Sequence, residues 1–74
     1  MTRNFGSKRI RATTRDQRIL WFTADDRWSN DPAEAETIED EAHADIRLLD
    51  AEIRAPLLAA VGFVDALEIE RVAS

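Results

Sequence analysis

The chain has 74 residues, contains no cysteine and carries a formal net charge of −5. Its length predicts one domain over residues 1–74 with a flexible leader at residues 1–7, and the lack of cysteine excludes disulfides and thiolate metal sites. No apolar run reaches the roughly 20 residues that cross a bilayer, and no secretory signal precedes residue 18, so we expect a cytoplasmic protein without membrane contact.

The N-terminal third of the chain predicts β-structure. Lys8–Thr13 alternates polar and apolar residues, which favours an edge strand guarded by its basic side chains. Arg18–Thr23 concentrates aromatic and β-branched residues, which favours a central strand with apolar residues on both faces. The turn Ala24–Asp26 then leads into a short return strand that begins at Arg27 and Trp28.

Helix-capping residues occupy the middle of the chain. Asp31 followed by Pro32 predicts a single helical turn, because Asp caps a helix well and Pro suits its first position. Residues 36–38 favour another short strand. Thr37 and Asp40 resemble a capping box, which places the start of the main helix near Asp40.

An apolar stripe at helical spacing defines the main helix. Its members recur every three or four residues and are Ala42, Ile46, Leu49, Ile53, Leu57 and Ala60. Such a stripe predicts the helix face that packs on the sheet, with the charged residues between positions 45 and 54 on the other faces. Pro56 predicts a break, followed by a short helix at residues 56–61 that Gly62 ends.

The last segment alternates polar and apolar residues again. Residues 64–72 place Leu67 and Ile69 on one side and Glu68 and Glu70 on the other, which predicts a half-buried strand. The predicted order β-β-β-α-β corresponds to an α+β fold, in which a small antiparallel sheet of three to four strands packs on one long helix.

The sequence lacks a recognisable catalytic or metal-binding constellation. His43, the only histidine, could act as a general base oriented by Glu39, but no nucleophile motif accompanies it, and a surface charge ladder is the simpler interpretation. The four acidic residues between positions 25 and 34 lack the central glycine and the alternating ligands of a calcium loop. We therefore predict a protein that is not an enzyme and binds no metal or cofactor.

The charges are divided unevenly along the chain. Residues 1–18 carry a net charge of +5, residues 19–74 carry −10, and residues 25–52 alone carry −9. Because a row of carboxylates imitates part of the field of duplex DNA, this acidic stretch predicts a surface that competes for a basic, nucleic-acid-binding groove on another protein. A solvated helix face that keeps the domain soluble is the alternative. The candidate partner-binding residues are Asp25, Asp26, Arg27, Trp28, Asp31, Glu34, Glu41, Asp45 and Glu52, with Trp28 as the candidate anchor.

The basic N-terminal segment also has two interpretations. Arg9, Arg11, Arg15 and Arg18 could grip phosphates while a tryptophan stacks on a base. We favour a charge-protected strand paired to the acidic body and expect no nucleic-acid partner, because a net charge of −5 repels nucleic acid from most directions. A third hypothesis is a housekeeping interaction or assembly module that dimerises through an exposed apolar face of the sheet. The oligomeric state stays open between monomer and homodimer.

The hairpin and the start of the helix resemble those of small bacterial and phage proteins. The residues that carry this resemblance are Trp28-Ser29-Asn30-Asp31, Ala35 and Asp40-Glu41-Ala42, within residues 18–55. Some of these proteins are inhibitors of host defence, including anti-CRISPR proteins. The resemblance implies that small size, acidity and the absence of catalytic motifs are the usual traits of such stoichiometric inhibitors. Together with the −9 charge of residues 25–52, it leads us to expect an inhibitor that binds a basic surface of a CRISPR effector subunit as a DNA mimic. It assigns no functional residue, because anti-CRISPR proteins share no common active-site pattern.

Overall fold

A computed structural model describes residues 6–63 and 66–73. Four strands form one antiparallel sheet in the order β3-β2-β1-β4, and one main helix follows β3 in the chain. This arrangement confirms the predicted small α+β fold. Most of the predicted leader and the first two residues of the predicted final strand lie outside the described residues. The elements are β1 (Lys8–Thr14), β2 (Ile19–Phe22), β3 (Trp28–Ser29), a 3-10 turn (Pro32–Glu34), α1 (Glu41–Ile53), α2 (Leu57–Ala60) and β4 (Ala66–Ala73).

The strand β1 lies inside the sheet, so the prediction of an edge strand was wrong. It pairs with β2 on one side and with β4 on the other, and Arg11 stands opposite both Trp21 and Glu70. The basic side chains of β1 therefore interact across the sheet surface instead of guarding an edge. The Arg9 guanidinium lies 4.5 Å from the centre of the Trp21 ring, and Arg11 forms an ion pair with Glu70.

The two hairpin turns share one pattern, Thr-x-Asp-x-Arg. In the first, Thr14 Oγ1 accepts a hydrogen bond from the Arg18 amide at 3.0 Å, and Gln17 has a φ of 72°. In the second, Thr23 Oγ1 accepts one from the Arg27 amide at 3.2 Å, and the residue before that arginine again has a positive φ. A left-handed residue in fourth position is typical of a type I turn with a bulge, which matches the twist of the strands.

The carboxylate of Asp16 stabilises the first turn in a pH-dependent way. A hydrogen bond from the Thr14 hydroxyl, opposed by some burial and helped by Arg18 at 3.0 Å, lowers the pKa of Asp16 below its ordinary 3.8. A carboxyl whose pKa is lowered by folding contributes stability above its unfolded value and loses it as pH falls. We expect Asp16→Asn to be slightly less stable than the wild type at pH 6, with the difference vanishing near pH 2. Urea unfolding at both pH values measures this, and an unchanged difference would contradict it.

The core lies between the sheet and α1. Its residues are Ile10, Ala12, Leu20, Phe22, Trp28, Ile38, Ala44, Ala51 and Leu58. The rings of Phe22 and Trp28 are 5.0 Å apart, and Trp28 Nε1 donates a hydrogen bond to the Arg54 carbonyl at 3.2 Å. This bond ties β3 to the end of α1 and satisfies the indole nitrogen of a buried tryptophan.

The helix α1 packs on the sheet with the face opposite to the predicted one. Ala44 and Ala51 are fully buried, and Leu48 and Ala55 pack against the core. The predicted apolar stripe faces solvent instead, and all six of its members are exposed. The expectation that this stripe forms the core was therefore wrong.

Side-chain volume explains the orientation of α1. The sheet already contributes the large side chains of Ile10, Leu20, Phe22 and Trp28 to the layer between sheet and helix. Interiors are packed to crystal-like density, so a helix that approaches such a sheet closely must present small residues. Alanines at positions 44, 51 and 55 meet that requirement, whereas Ile46 and Leu49 do not.

The predicted ends of the helices are confirmed. Asp40 caps α1 by accepting a hydrogen bond from the His43 amide at 2.9 Å, and α1 ends at Ile53, shortly before Pro56. Gly62 follows α2 with a φ of 96°, and the Phe63 amide donates back to the Leu58 carbonyl at 2.8 Å. A glycine in the left-handed backbone region, followed by an amide that donates to the carbonyl five residues before it, is a common end of a helix.

Two strand predictions need correction. The pairing of β1 with β4 shifts between Thr13 and Thr14, whose partners are Glu68 and Ala66. Leu67 is the extra residue of this bulge, so it points away from Ile69 and is exposed rather than sharing its face. The predicted strand at residues 36–38 is reduced to a single bridge between Lys8 and Ile38.

Candidate functional site

The solvent-facing apolar stripe of α1 is the first part of the candidate site. Ile46, Leu49 and Ile53 are 57 %, 60 % and 71 % exposed. We call these three residues the outward seam. Their spacing of three and then four residues places them on one line along the helix, directly opposite the alanines that contact the sheet.

An open groove continues from the outward seam. It has a volume of about 850 Å³ and lies between the β2–β3 hairpin and α2. Leu57 and Val61, which are 44 % and 47 % exposed, form its wall on the side of α2. Apolar side chains of the sheet and of the segment after α2 line its interior, and charged side chains line its rim. The interior includes Leu20, Trp28 and Phe63, and the rim includes Asp25, Arg27 and Glu34.

A buried arginine lies beneath the hairpin that borders the groove. The guanidinium of Arg47 is 2.7 Å from Asp26, 2.7 Å from Glu36 and 2.9 Å from Asp50. It also donates to the Thr23 carbonyl at 3.1 Å and lies 4.9 Å from the centre of the Phe22 ring. Sequence reasoning placed Arg47 on a polar face, so its burial is a second correction to the predicted orientation of α1.

The charge of Arg47 is maintained by its partners. Burial disfavours the charged form, but hydrogen bonds and charges of Glu36 and Asp26 raise the pKa of Arg47 above its ordinary value. A cation whose pKa is raised by folding contributes its stability at every pH below the unfolded value. The Arg47 cluster is therefore a structural element at neutral pH, and it neutralises part of the acidic stretch.

The structure brings four of the predicted partner-binding residues together at the groove. Asp25, Arg27, Trp28 and Glu34 all line it. Asp25 and Arg27 approach each other to 3.6 Å on the exposed hairpin, whereas Trp28 is buried with only part of its surface reaching the groove. The predicted anchor is thus a core residue that also forms part of the interior surface of the groove.

The other predicted residues are distributed over separate places. Asp26 is half-buried against Arg47 and Arg54. Asp31 caps the 3-10 turn by accepting from the Ala33 amide at 3.0 Å. The remaining three lie along α1, where the carboxylate of one is 2.8 Å from Arg71. They are Glu41, Asp45 (the partner of Arg71) and Glu52. The acidic residues therefore form several small groups rather than one continuous row.

The basic N-terminal segment is largely engaged within the chain. Arg9 stacks on Trp21 and donates to the Pro32 carbonyl at 3.1 Å. Arg18 is 3.0 Å from Asp16 and lies over the Phe63 ring. Together with the Arg11 ion pair, these contacts place the arginines on the sheet surface as internal partners. The expectation that nucleic acid is not a partner stays a prediction.

Sequence reasoning found the rim of the groove but missed the apolar surface of the site. A signal was present, because Ala44, Leu48, Ala51 and Ala55 repeat at spacings of four, three and four. The outward seam repeats with the same spacing on the opposite face of the helix. Of these two apolar stripes, the sheet covers one and the other is exposed.

The described residues offer no arrangement for metal chemistry. Within residues 6–63 and 66–73, no three histidine or acidic side chains come together as a metal site. His43 is exposed on the first turn of α1, beside Asp40, whose carboxylate caps the helix. No helix in the described part of the chain has the length and apolar character needed to cross a membrane.

Comparisons with known proteins place the chain in a family. No curated protein and no solved structure matches it significantly. A family model described as a protein of unknown function, DUF2849, matches residues 12–73, which covers the end of β1 and all of β2, β3, both helices and β4. This match carries no link to phage or anti-CRISPR proteins. The chain belongs to the DUF2849 family.

Proposed function

We propose that this protein is a non-enzymatic protein-binding module whose binding surface comprises the outward seam and the adjoining groove. One observation carries the proposal: three of the four large aliphatic side chains of α1 face solvent, while Ala44 and Ala51 face the core. Extended apolar surfaces of this kind on small domains mark interaction sites.

The free energy of hydration supports this function. Burying an aliphatic side chain of this size contributes roughly 1.5–3 kcal/mol, and more than half of that surface remains exposed at Ile46, Leu49 and Ile53. Rotating α1 to bury them would bring the alanines to the surface and large residues against an already filled sheet. Among residues 6–63 and 66–73, these side chains therefore leave apolar surface uncovered, and a binding partner would remove it from water.

The acidic-inhibitor hypothesis stays a prediction. It requires a carboxylate row with an uncompensated negative field, and Asp26, Glu36 and Asp50 instead surround Arg47. Inhibition of a CRISPR effector and location in the cytoplasm have no further support from the fold or the family. The exposed apolar surface is the better-founded basis for binding.

Paired surface variants test the proposed function. The seam variant Leu49→Ser/Ile53→Ser and the control Ile19→Ser, which changes an exposed residue on β2, are compared with the wild type as baits in lysate of the source cell. We expect the wild type and the control to enrich a defined set of proteins. With the seam variant, this enrichment is expected to be at least about tenfold lower, because central apolar contacts are lost.

Stability measurements complete this test. Because the seam side chains make few internal contacts, the seam variant is expected to unfold within about 1 kcal/mol of the wild type. Equal enrichment by all three baits, or no enrichment by any, would refute the proposed function. A loss of stability well above that value would show that the seam belongs to the core.

A further inference from the structure

We infer that the partner presents a basic amphipathic helix, which pairs with α1 along the outward seam. This inference rests on the proposed function and specifies the chemistry of the partner. It follows from the spacing of the seam, from the charges beside it and from the poor fit of a second copy of the same chain.

The outward seam has the spacing of a two-stranded coiled coil. Ile46, Leu49 and Ile53 correspond to positions a, d and a of a heptad, and Ala42 to the preceding d. Ile at a and Leu at d favour pairing of two helices. Because the sheet covers the b, c and f positions of the same helix (Arg47, Leu48 and Ala51), the seam is held outward and rigid before any partner arrives.

The positions beside the seam are acidic. Asp45 and Glu52 occupy successive g positions, and Asp50 occupies the e position between the two a residues. Asp45 and Asp50 each have an internal arginine partner, Arg71 and Arg47. Glu52 is exposed and has no ion-pair partner among residues 6–63 and 66–73. Residues at e and g set partner choice, so lysine or arginine beside an apolar seam is the matching chemistry.

A second copy of this chain is a poor occupant in either orientation. A parallel pair brings g of one helix to e of the other, which places Asp45 against the Asp50 of the second copy. An antiparallel pair brings g to g, which places carboxylates at positions 45 and 52 together. Like charges at these positions destabilise pairing, and the net charge of −5 adds repulsion between copies.

The size of the surface also fits one helix. The 13 residues of α1 extend over about 20 Å at 1.5 Å per residue, and the break at Pro56 then turns the chain toward the groove. A partner helix of about three heptads covers this length with one turn to spare at each end. Leu57 and Val61, past the break, extend the apolar contact into the groove.

Two designed peptides test the inference directly. Each has about three heptads with Ile and Leu at a and d, and one carries Lys and the other Glu at every e and g position. Like charges keep each peptide from pairing with itself. In calorimetric titrations at low salt, we expect the Lys peptide to bind the full-length chain at least about tenfold more tightly than the Glu peptide, and to lose affinity as salt is raised.

A charge reversal on this chain makes the test specific. Glu52→Lys is expected to lower the affinity for the Lys peptide by about fivefold and to raise the affinity for the Glu peptide by a similar factor. This is the size of effect that one or two exposed charge pairs produce. The control Glu68→Lys changes the net charge equally on an exposed residue of β4 that stands opposite Thr13, away from the seam. It is expected to change both affinities by less than about twofold.

The outcomes separate this inference from the proposed function. If both peptides bind equally and Leu49→Ser/Ile53→Ser abolishes this binding, the inference of a basic partner is refuted, whereas the proposed binding module stands. Helix pairing at the outward seam would be refuted if neither peptide binds, or if the seam variant binds as the wild type does. The comparison of baits in lysate then decides the proposed function independently. A dimer in sedimentation velocity that the seam variant dissociates would show a second copy to be the occupant and overturn the inference.

Discussion

Replacing Arg47 by methionine is expected to lower the free energy of unfolding by about 3 kcal/mol, as removal of one member of a buried ionic cluster does. Methionine keeps most of the length and apolar character of the side chain but removes the charge and all donors. Glu36 and Asp50 then lose the cation that they contact, while Asp26 keeps Arg54 at 3.6 Å. The Thr23 carbonyl loses the guanidinium donor and keeps the amide of residue 26. Urea unfolding followed by tryptophan fluorescence measures the loss.

Two features of the cluster set the size of this effect. The Arg47 side chain is only 10 % exposed, so its interactions are weakly screened. Its carboxylate partners are more exposed and regain water when the cation is removed, which keeps the loss at the lower end for buried pairs.

The matched control is Arg54→Met. Arg54 is 3.6 Å from the same Asp26, but its side chain is 37 % exposed, and its backbone carbonyl continues to accept from Trp28. A loss below about 1 kcal/mol is expected there. Similar losses for both variants would mean that general charge balance, rather than the buried cluster, stabilises the fold.

Replacing Phe22 by alanine is expected to lower the free energy of unfolding by about 4 kcal/mol, which exceeds half of the stability of many small domains. Phe22 is fully buried and lies between the Trp28 ring and the Arg47 guanidinium. Its removal opens a cavity that the surrounding strands cannot close, because β2 is paired on both edges.

A smaller variant keeps this prediction measurable if the alanine variant does not fold. Phe22→Leu retains most of the volume and is expected to cost about 1.5 kcal/mol. The control Ile19→Ala, on the same strand but 41 % exposed, is expected to cost less than about 1 kcal/mol. Equal losses at positions 19 and 22 would contradict the assignment of the core to the helix-facing side of the sheet.

Local signals in the sequence were sufficient to predict the element ends. Asp31 and Asp40 cap helical segments because an aspartate oxygen reaches an amide two or three residues ahead, whatever the rest of the fold does. Pro56 and Gly62 likewise act through backbone geometry. The α+β class followed from the change of period along the chain, which is also a local property.

The orientation of α1 was beyond such signals. Its two apolar stripes have equal spacing, and the stripe with the larger side chains was predicted to be buried because hydrophobicity alone favours it. The face of α1 that is buried depends on the volume that Phe22, Trp28 and Leu20 already occupy on the sheet. The sequence of the helix itself gives no information about that volume.

The candidate site was predictable only in part, for the same reason. Asp25, Arg27 and Glu34 were identified from charge and turn position, and they do line the groove. The outward seam was assigned to the interior, so its role in binding could not be inferred. Arg47 was missed because a buried arginine needs partners from the hairpin and from residue 36, which are distant in sequence.

The position of β4 at the end of the sheet has a consequence for how this protein behaves at high concentration. At its free edge in the described sheet, alternate residues of this eight-residue strand direct backbone N–H and C=O groups outward, where another extended chain could pair with them. Charged side chains at positions 68, 70 and 71, together with the kink at Leu67, work against such growth. Charge at these positions therefore affects the tendency of the protein to aggregate as well as its folding.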